Sequence, residues 1–273
     1  MQGASRDALA RLHDALPAEG DLQQLSGELF AVVTLLSDQA SLRRALSDPS
    51  GGAEAKVAIV DRLLGERLGS LALDLVREAV RQRWSQPRDL VDALEELAVS
   101  AQLAVAEQAD QLGEVEDELF RFGQILKGSP ELRAALTDRN LPAERKSQLL
   151  HRLLDGRTTA VTLALLERAI LEPRGRTLER AIVDLSTLAA RRREQLLARV
   201  TSAVELTEAE QTQLAASLKQ AFGHDVRLQV VVDESLIGGL TVRIGDELID
   251  GSVARQLEEA RRRLTGRSTR RTT

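Results

Sequence analysis

The chain repeats itself. When residue 28 is slid onto residue 118, Glu28-Leu29-Phe30 falls on Glu118-Leu119-Phe120, and Leu42-Arg43 falls on Leu132-Arg133. Ala45-Leu46 meets Ala135-Leu136, Asp48 meets Asp138, Glu54 meets Glu144 and Lys56 meets Lys146, and Arg62-Leu63-Leu64 meets Arg152-Leu153-Leu154. About a third of positions 28 to 79 match without a gap, against roughly a tenth expected from average residue usage. Shared helical periodicity reproduces the leucines but not the Glu, Asp, Lys and Arg matches. A long internal period restricts the chain to tandem copies of one unit. The expected architecture is mainly α, with two homologous helical bundles in tandem, residues 1–108 and 109–198, followed by a small α+β domain.

The apolar spacing makes these copies helical. Leu9, Leu12 and Leu16 share a face, with Ser5 a candidate cap and 17–20 a break. Leu22, Leu25, Leu29, Val32, Val33 and Leu36 form a second stripe. Leu42, Ala45 and Leu46 form a short third one, ended by Asp48-Pro49-Ser50-Gly51-Gly52. Val57, Val60, Leu63 and Leu64 follow, then Leu71, Leu75, Val76 and Ala79, with a break at Pro87. Residues 90–126 read as one or two long helices, with Gly113 the expected interruption, and 177–198 as one more. Aromatic residues are 2% of the chain and hydrophobic residues 43%, so the core must be aliphatic, which suits packed helices.

The net charge of −5 and pI near 5.5 argue against a general nucleic-acid binder, which presents a basic face to phosphate. With no cysteine, disulfides and thiolate chemistry are excluded. No apolar run reaches the roughly 18 residues that a membrane span needs, and no signal peptide is expected. His13, His151 and His224 are far apart and have no metal-ligand spacing. No serine sits in a G-x-S-x-G setting. Glu95-Glu96 and Asp233-Glu234 read as solvated or turn-forming pairs. No catalytic, cofactor or metal site is expected. Arg191-Arg192-Arg193 and Arg261-Arg262-Arg263 end helices, where cations complement the helix dipole; contact with an acidic partner or anionic lipid is the functional alternative. The 265–273 tail, carrying Arg267, Arg270 and Arg271, is expected to be disordered.

Past residue 199 the period changes. Val200, Ser202 and Val204 alternate as a strand, and Thr207 with Glu210 has capping-box spacing ahead of Leu214, Leu218, Ala221 and Phe222, with Gly223 ending that helix. Leu228, Val230 and Val232 alternate, as do Leu240, Val242 and Ile244. Gly238-Gly239 lies between them as a turn needing positive φ. It lacks the Lys, the Ser/Thr and the following helix of a phosphate loop. Gly245-Asp246 is a second turn, leading into Glu247-Leu248-Ile249, and Ser252 would cap a last helix carrying Val253, Leu257, Ala260 and Leu264.

Asp233, Ser235, Leu236, Ile237, Gly238, Gly239, Val242, Ile244, Gly245, Asp250, Gly251, Ser252 and Leu257 together resemble the C-terminal motif of the ATP synthase delta subunit family, whose mitochondrial relative is the oligomycin-sensitivity-conferring protein. Asp138, Lys146, Leu153-Leu154 and Pro173-Arg174-Gly175-Arg176 are similar to that family's N-terminal helical bundle. The usual member has one such bundle; two are associated with the longer delta subunits of actinobacteria. In that family the C-terminal motif shapes a domain and is no active site.

The resemblance implies a non-catalytic stator subunit, one copy in a hetero-oligomeric complex on the cytoplasmic face of the cell membrane. It would tie the catalytic head of a proton-translocating ATP synthase to the peripheral stalk. It also implies two partners: the N-terminal helix of an alpha subunit, seated between a bundle's first and fifth helices, and the C-terminal helix of a b-type stalk subunit, held by the 199–264 domain. The implied groove residues are Leu9, Leu12, Leu75, Val76 and Ala79 in the first copy and Leu165, Leu166 and Ala169 in the second. Two other classes stay open on the residues alone: a general helical adaptor, which explains the repeat but not the motif, and an enzyme using Gly238-Gly239 as an anion site, which lacks acid, base and nucleophile.

Overall fold

The structure, a computed structural model, describes residues 1–250 except 2, 18, 196, 223–225, 234, 235, 237, 245 and 246, and the side chains of 195, 197, 227, 247 and 250. The Gly223 helix stop, His224, the Gly245-Asp246 turn, Gly251, the Ser252-capped helix and the tail lie outside the described residues. The chain divides into two compact units, Met1–Ala189 and Ala190–Thr273.

The first unit is helical: α1 (Ala4–Asp14), α2 (Leu22–Asp38), α3 (Ala40–Ser47), α4 (Ala53–Leu64), α5 (Ser70–Arg81), α6 (Pro87–Gln108), α7 (Leu112–Gly128), α8 (Pro130–Thr137), α9 (Ala143–Leu154), α10 (Ala160–Leu171) and most of α11 (Leu178–Gln195). Each of α7 to α10 begins and ends 90 residues after its counterpart among α2 to α5. The polar identities have work in both copies. Glu28 accepts the Gly69 amide at 2.9 Å and Glu118 accepts the Thr159 amide at 3.0 Å, each placing a carboxylate at the start of the fourth helix of its series, α5 or α10. Asp48 accepts the Ser50 amide and Asp138 the Asn140 amide, both at 2.8 Å, closing the turn after α3 and after α8.

Three local expectations change. Ser5 does not cap α1; Gly3 precedes the helix, and Ser5 lies buried inside it, donating to Asp89 at 2.7 Å and accepting the Ser85 amide at 2.8 Å. Tertiary bonds to the start of α6 outbid the local cap. The long helical stretch breaks at residues 109–111 and not at Gly113, which sits inside α7. Asp110 takes the left-handed conformation there (φ 56°), and α6 itself starts at Pro87 behind a Gln86–Asp89 capping box. The 108/109 boundary thus falls at the α6–α7 link, and both flanks belong to one unit.

Core side chains are those of the stripes. Leu22, Leu25, Leu29, Val32, Val33 and Leu36 are buried on α2, and α6 is buried nearly all round from Leu90 to Ala106. α2 lies along α6, with Ser26 donating to the Ala98 carbonyl at 2.8 Å and Gln102 to Gln23 at 3.1 Å. Trp84 is buried, and its indole N–H donates to the Ala79 carbonyl at 2.8 Å, satisfying the end of α5.

The second unit holds β1 (Leu197–Ser202), α12 (Glu208–Phe222), β2 (Arg227–Val232), β3 (Leu240–Ile244) and β4 (Glu247–Asp250), in sheet order β2-β1-β3-β4. β1 and β2 are parallel, so they need a crossover, which α12 supplies; the β1–β3 and β3–β4 pairs are antiparallel. Thr207 and Glu210 form the expected capping box: the Thr207 amide donates to Glu210 at 2.8 Å and the Glu210 amide to Thr207 at 3.3 Å. Ala198, Val200, Leu218, Val226, Val242 and Ile244 make the core. β1 ends at Ser202, and Val204 is exposed beyond it. Gly238 (φ 143°) and Gly239 (φ 80°) take positive φ at the turn before β3, as their position demanded.

Candidate docking surfaces

Most of the eight groove residues are core. Leu12, Leu75, Val76 and Ala79 are buried, as are Leu165, Leu166 and Ala169; Leu9 is half-buried. On the first copy, α1 lies against α5 and α6, with Arg11 donating to Gln82 at 2.9 Å across the α1–α5 seam. Leu9 and Leu16 pack partly open on the core, and Leu71 at the start of α5 is 36% exposed. Leu12 and Leu75 are thus buried, while Leu9, Leu16 and Leu71 stay partly open.

The second copy is built differently at the same place. The segment 90 residues after α1 is the middle of α6, residues 94–104, which is mostly buried. α2 covers it and reaches α10 through two side chains. Arg168 of α10 stacks on the Phe30 ring, 4.8 Å from its centroid, and donates to the Phe30 carbonyl at 2.8 Å. Thr34 donates to Glu172 at 2.8 Å. Burial pushes the Arg168 guanidinium below its ordinary value, opposed by the Glu172 and Glu95 carboxylates.

A second contact sits beside it. Arg174 (φ 49°) and Gly175 (φ 76°) turn the α10–α11 corner in successive left-handed conformations. The Arg174 side chain, 9% exposed, pairs with Asp92 and Glu95 of α6 at 2.5 Å, and Arg176 also pairs with Glu95. Arg88 donates to the Arg174 carbonyl. Sequence spacing could not find this cluster. Its acids and bases lie about 80 residues apart and Asp92-Glu95 looks like any solvated helix face.

Of the C-terminal motif residues, Asp233 donates its amide to the Ser202 carbonyl at 2.8 Å, and Gly238 and Gly239 shape the turn. Asp250 closes β4 opposite Thr241. These are backbone roles. His13 lies 3.3 Å from Glu96 and His151 3.8 Å from Glu167, in separate places. Among the described residues no three His, Cys, Asp or Glu side chains gather as a metal site, and no helix is long and apolar enough to cross a membrane.

Residues 99–264 match the family model described as ATP synthase delta (OSCP) subunit. The matched stretch starts in the second half of α6 and so takes in the second helical copy and the sheet unit. Curated relatives extend the similarity to the first copy. ATP synthase subunit delta of Streptomyces avermitilis is 49% identical over 96% of this chain and 98% of its own. The protein of that name from Acidothermus cellulolyticus is 47% identical over 97% and 99%. A chain of the Toxoplasma gondii mitochondrial ATP synthase hexamer covers 61% of this chain at 20% identity and a TM-score of 0.31, a likeness too loose to carry an argument. Matched by the family model over more than half its length and by full-length relatives at nearly half identity, this chain belongs to the ATP synthase delta (OSCP) subunit family.

Proposed function

We propose that this chain is a non-catalytic stator subunit of a rotary, proton-translocating ATP synthase. It links the alpha subunits of the catalytic head to the b-type peripheral stalk, so that the head resists rotor torque. Family membership over almost the whole chain carries this reading. The chain works as one copy in a hetero-oligomeric complex, peripheral to the cytoplasmic face of the cell membrane. Its mechanism is mechanical: two interfaces in series, neither of which slips. Residues 1–108 and 109–198 are two homologous bundles that share α6, a reading supported by the four helix pairs offset by 90 residues and by the paired Glu28/Glu118 and Asp48/Asp138 bonds. The 199–264 domain holds the C-terminal helix of the b-type subunit, and the 265–273 tail stays disordered.

The first copy takes the alpha subunit's N-terminal helix. α2 already lies over the second copy's α6–α10 seam, whereas the α1–α5 seam keeps Leu9, Leu16 and Leu71 at least partly open above buried Leu12, Leu75, Val76 and Ala79. An amphipathic helix binds such a groove through apolar anchors at helical spacing. Calorimetric titration of the full chain with a peptide of the alpha subunit's first 25 or so residues tests this. One-to-one saturable binding is expected, weakened at least tenfold by Leu9→Glu. Binding that ignores Leu9→Glu moves the site elsewhere, and no binding by the wild-type chain removes the docking mode.

A further inference from the structure

Resting on the reading of two homologous bundles, a second surface can be located by asking what the first copy covers and the second leaves bare. In the first copy, Phe30 of α2 and Asp92 and Glu95 of α6 are among the residues that receive α10 and its corner. Phe30 corresponds to Phe120 at the 90-residue offset. α6 starts at Pro87 and α11 at Leu178, an offset of 91, which matches buried Val91 to buried Ile182 and buried Leu94 to buried Leu185. Asp92 and Glu95 then correspond to Val183 and Ser186. Phe120 is 61% exposed and Val183 50% exposed. They flank the place where α7 and α11 meet: a Cβ at Gly123 would lie 3.4 Å from Ile182, Phe120 is one turn before Gly123, and Val183 follows Ile182.

A terminal repeat that faces water needs a polar outer face. This one keeps the phenylalanine and replaces the two carboxylates by Val183 and Ser186. We infer that the Phe120–Val183 face of α7 and α11 is a docking surface for a partner helix of α10's chemistry: aliphatic along one side, with an arginine set to stack on Phe120. The internal interface is the template, since Arg168 stacks on Phe30 and also reaches the Phe30 carbonyl. Charge favours the same occupant. Asp117 lies one turn from Phe120, paired at 3.8 Å with Arg121, and Glu114 is exposed one turn further. A second copy of this chain fits badly. Stacked head to tail it would offer α5, the counterpart of α10, which carries Glu78 in place of Arg168 and Gln82 in place of Glu172. A carboxylate over the ring face and beside Asp117 is repelled.

The test is site-specific photocrosslinking in intact cells making the full chain, with Phe120→p-benzoylphenylalanine and, separately, Val183→p-benzoylphenylalanine. Exposed Arg44→p-benzoylphenylalanine is the control. Expected is one adduct, shared by 120 and 183 and absent at 44, attached to a helix of another chain with an arginine or lysine within one turn of the linked residue. Unchanged thermal melting of Phe120→Ser would show that the face is not needed for folding. No adduct, an adduct only to another copy of this chain, or one to a segment without a cation overturns the inference. Co-isolation of the unsubstituted chain with the catalytic head is read in the same cells, so a failure of the stator reading registers there and not at residue 120.

Discussion

The helix sets α2–α5 and α7–α10 share spacing, turns and several side-chain-to-amide bonds, yet they have opposite surroundings. Phe30 and Phe120 stand at the same place in α2 and α7, but Arg168 covers the first while the second is exposed. Trp84 and Arg174 stand at the same offset after α5 and α10: one closes its helix with an indole N–H inside an apolar core, the other reaches across to two carboxylates of α6. Helix sets of like sequence and spacing make like internal bonds. What such a set meets externally depends on its neighbours: α10 packs against α2 and α6 through Phe30, Asp92 and Glu95, while Phe120 and Val183 are exposed.

The largest expected effect separates apolar from ionic closure at the 84/174 pair. Trp84→Ala should cost about 3–5 kcal/mol by leaving a core cavity and removing the indole bond to the Ala79 carbonyl. Arg174→Ala should cost about 3 kcal/mol, because Glu95 and Asp92 lose a largely desolvated partner. Urea titrations followed by circular dichroism measure both. If Arg174→Ala is neutral, the corner adds nothing, and α10 is held on α2 and α6 by packing and by the Arg168 and Thr34 contacts.

Next comes the phenylalanine pair. Phe30→Ala should cost about 2 kcal/mol, combining partial burial with the lost guanidinium stack, while Phe120→Ala should stay within about 0.5 kcal/mol. Equal costs would break the distinction between a covered and an open face.

Glu28→Ala and Glu118→Ala should behave alike, each losing about 1–2 kcal/mol by freeing the first amides of α5 or α10. Amide exchange at residues 69 and 159 reports this site by site, and faster exchange at one only would show that the copies differ inside as well as outside.

The smallest effect is a pH dependence at Asp48. The Ser50 hydroxyl and amide hold its carboxyl below the ordinary 3.8. A carboxyl depressed in the folded state adds stability above its unfolded value, and that stability is lost as pH falls through the lower folded value. The loop after α3 should therefore loosen below pH 3.8, measurable by carboxylate NMR titration of Asp48. A midpoint at or above 3.8 would remove the contribution.

Much of the fold was legible because helical and strand periods are local. The α2 stripe, the Thr207–Glu210 box, the alternation of β2 and β3 and the positive φ at Gly238 and Gly239 all follow from neighbours within four residues. Ser5 shows where this stops: serine before a leucine stripe reads as a cap, but Asp89 and the Ser85 amide, some 80 residues away, hold it inside the helix. Gly113 shows it again. Glycine is the weakest helix former nearby, yet the chain turns at Asp110, where α6 leaves one packing surface and α7 begins another. The groove residues were legible as apolar positions and not as exposed or buried ones. Leu9 and Leu12 carry the same side chain one turn apart, and only the α1–α5–α6 packing leaves one half-open and buries the other.

By itself the sequence determined that this chain is mainly helical, carries a small sheet after its helices and belongs to the delta family, because periodicity, motif spacing and turn chemistry are properties of neighbouring residues. Only the tertiary structure decided which copy's seam is already filled, that Asp92 and Glu95 hold Arg174, and that Phe120 is bare where Phe30 is covered. Those outcomes depend on which surfaces meet across 80 to 140 residues of chain, and burial is a property of the meeting and not of the residue.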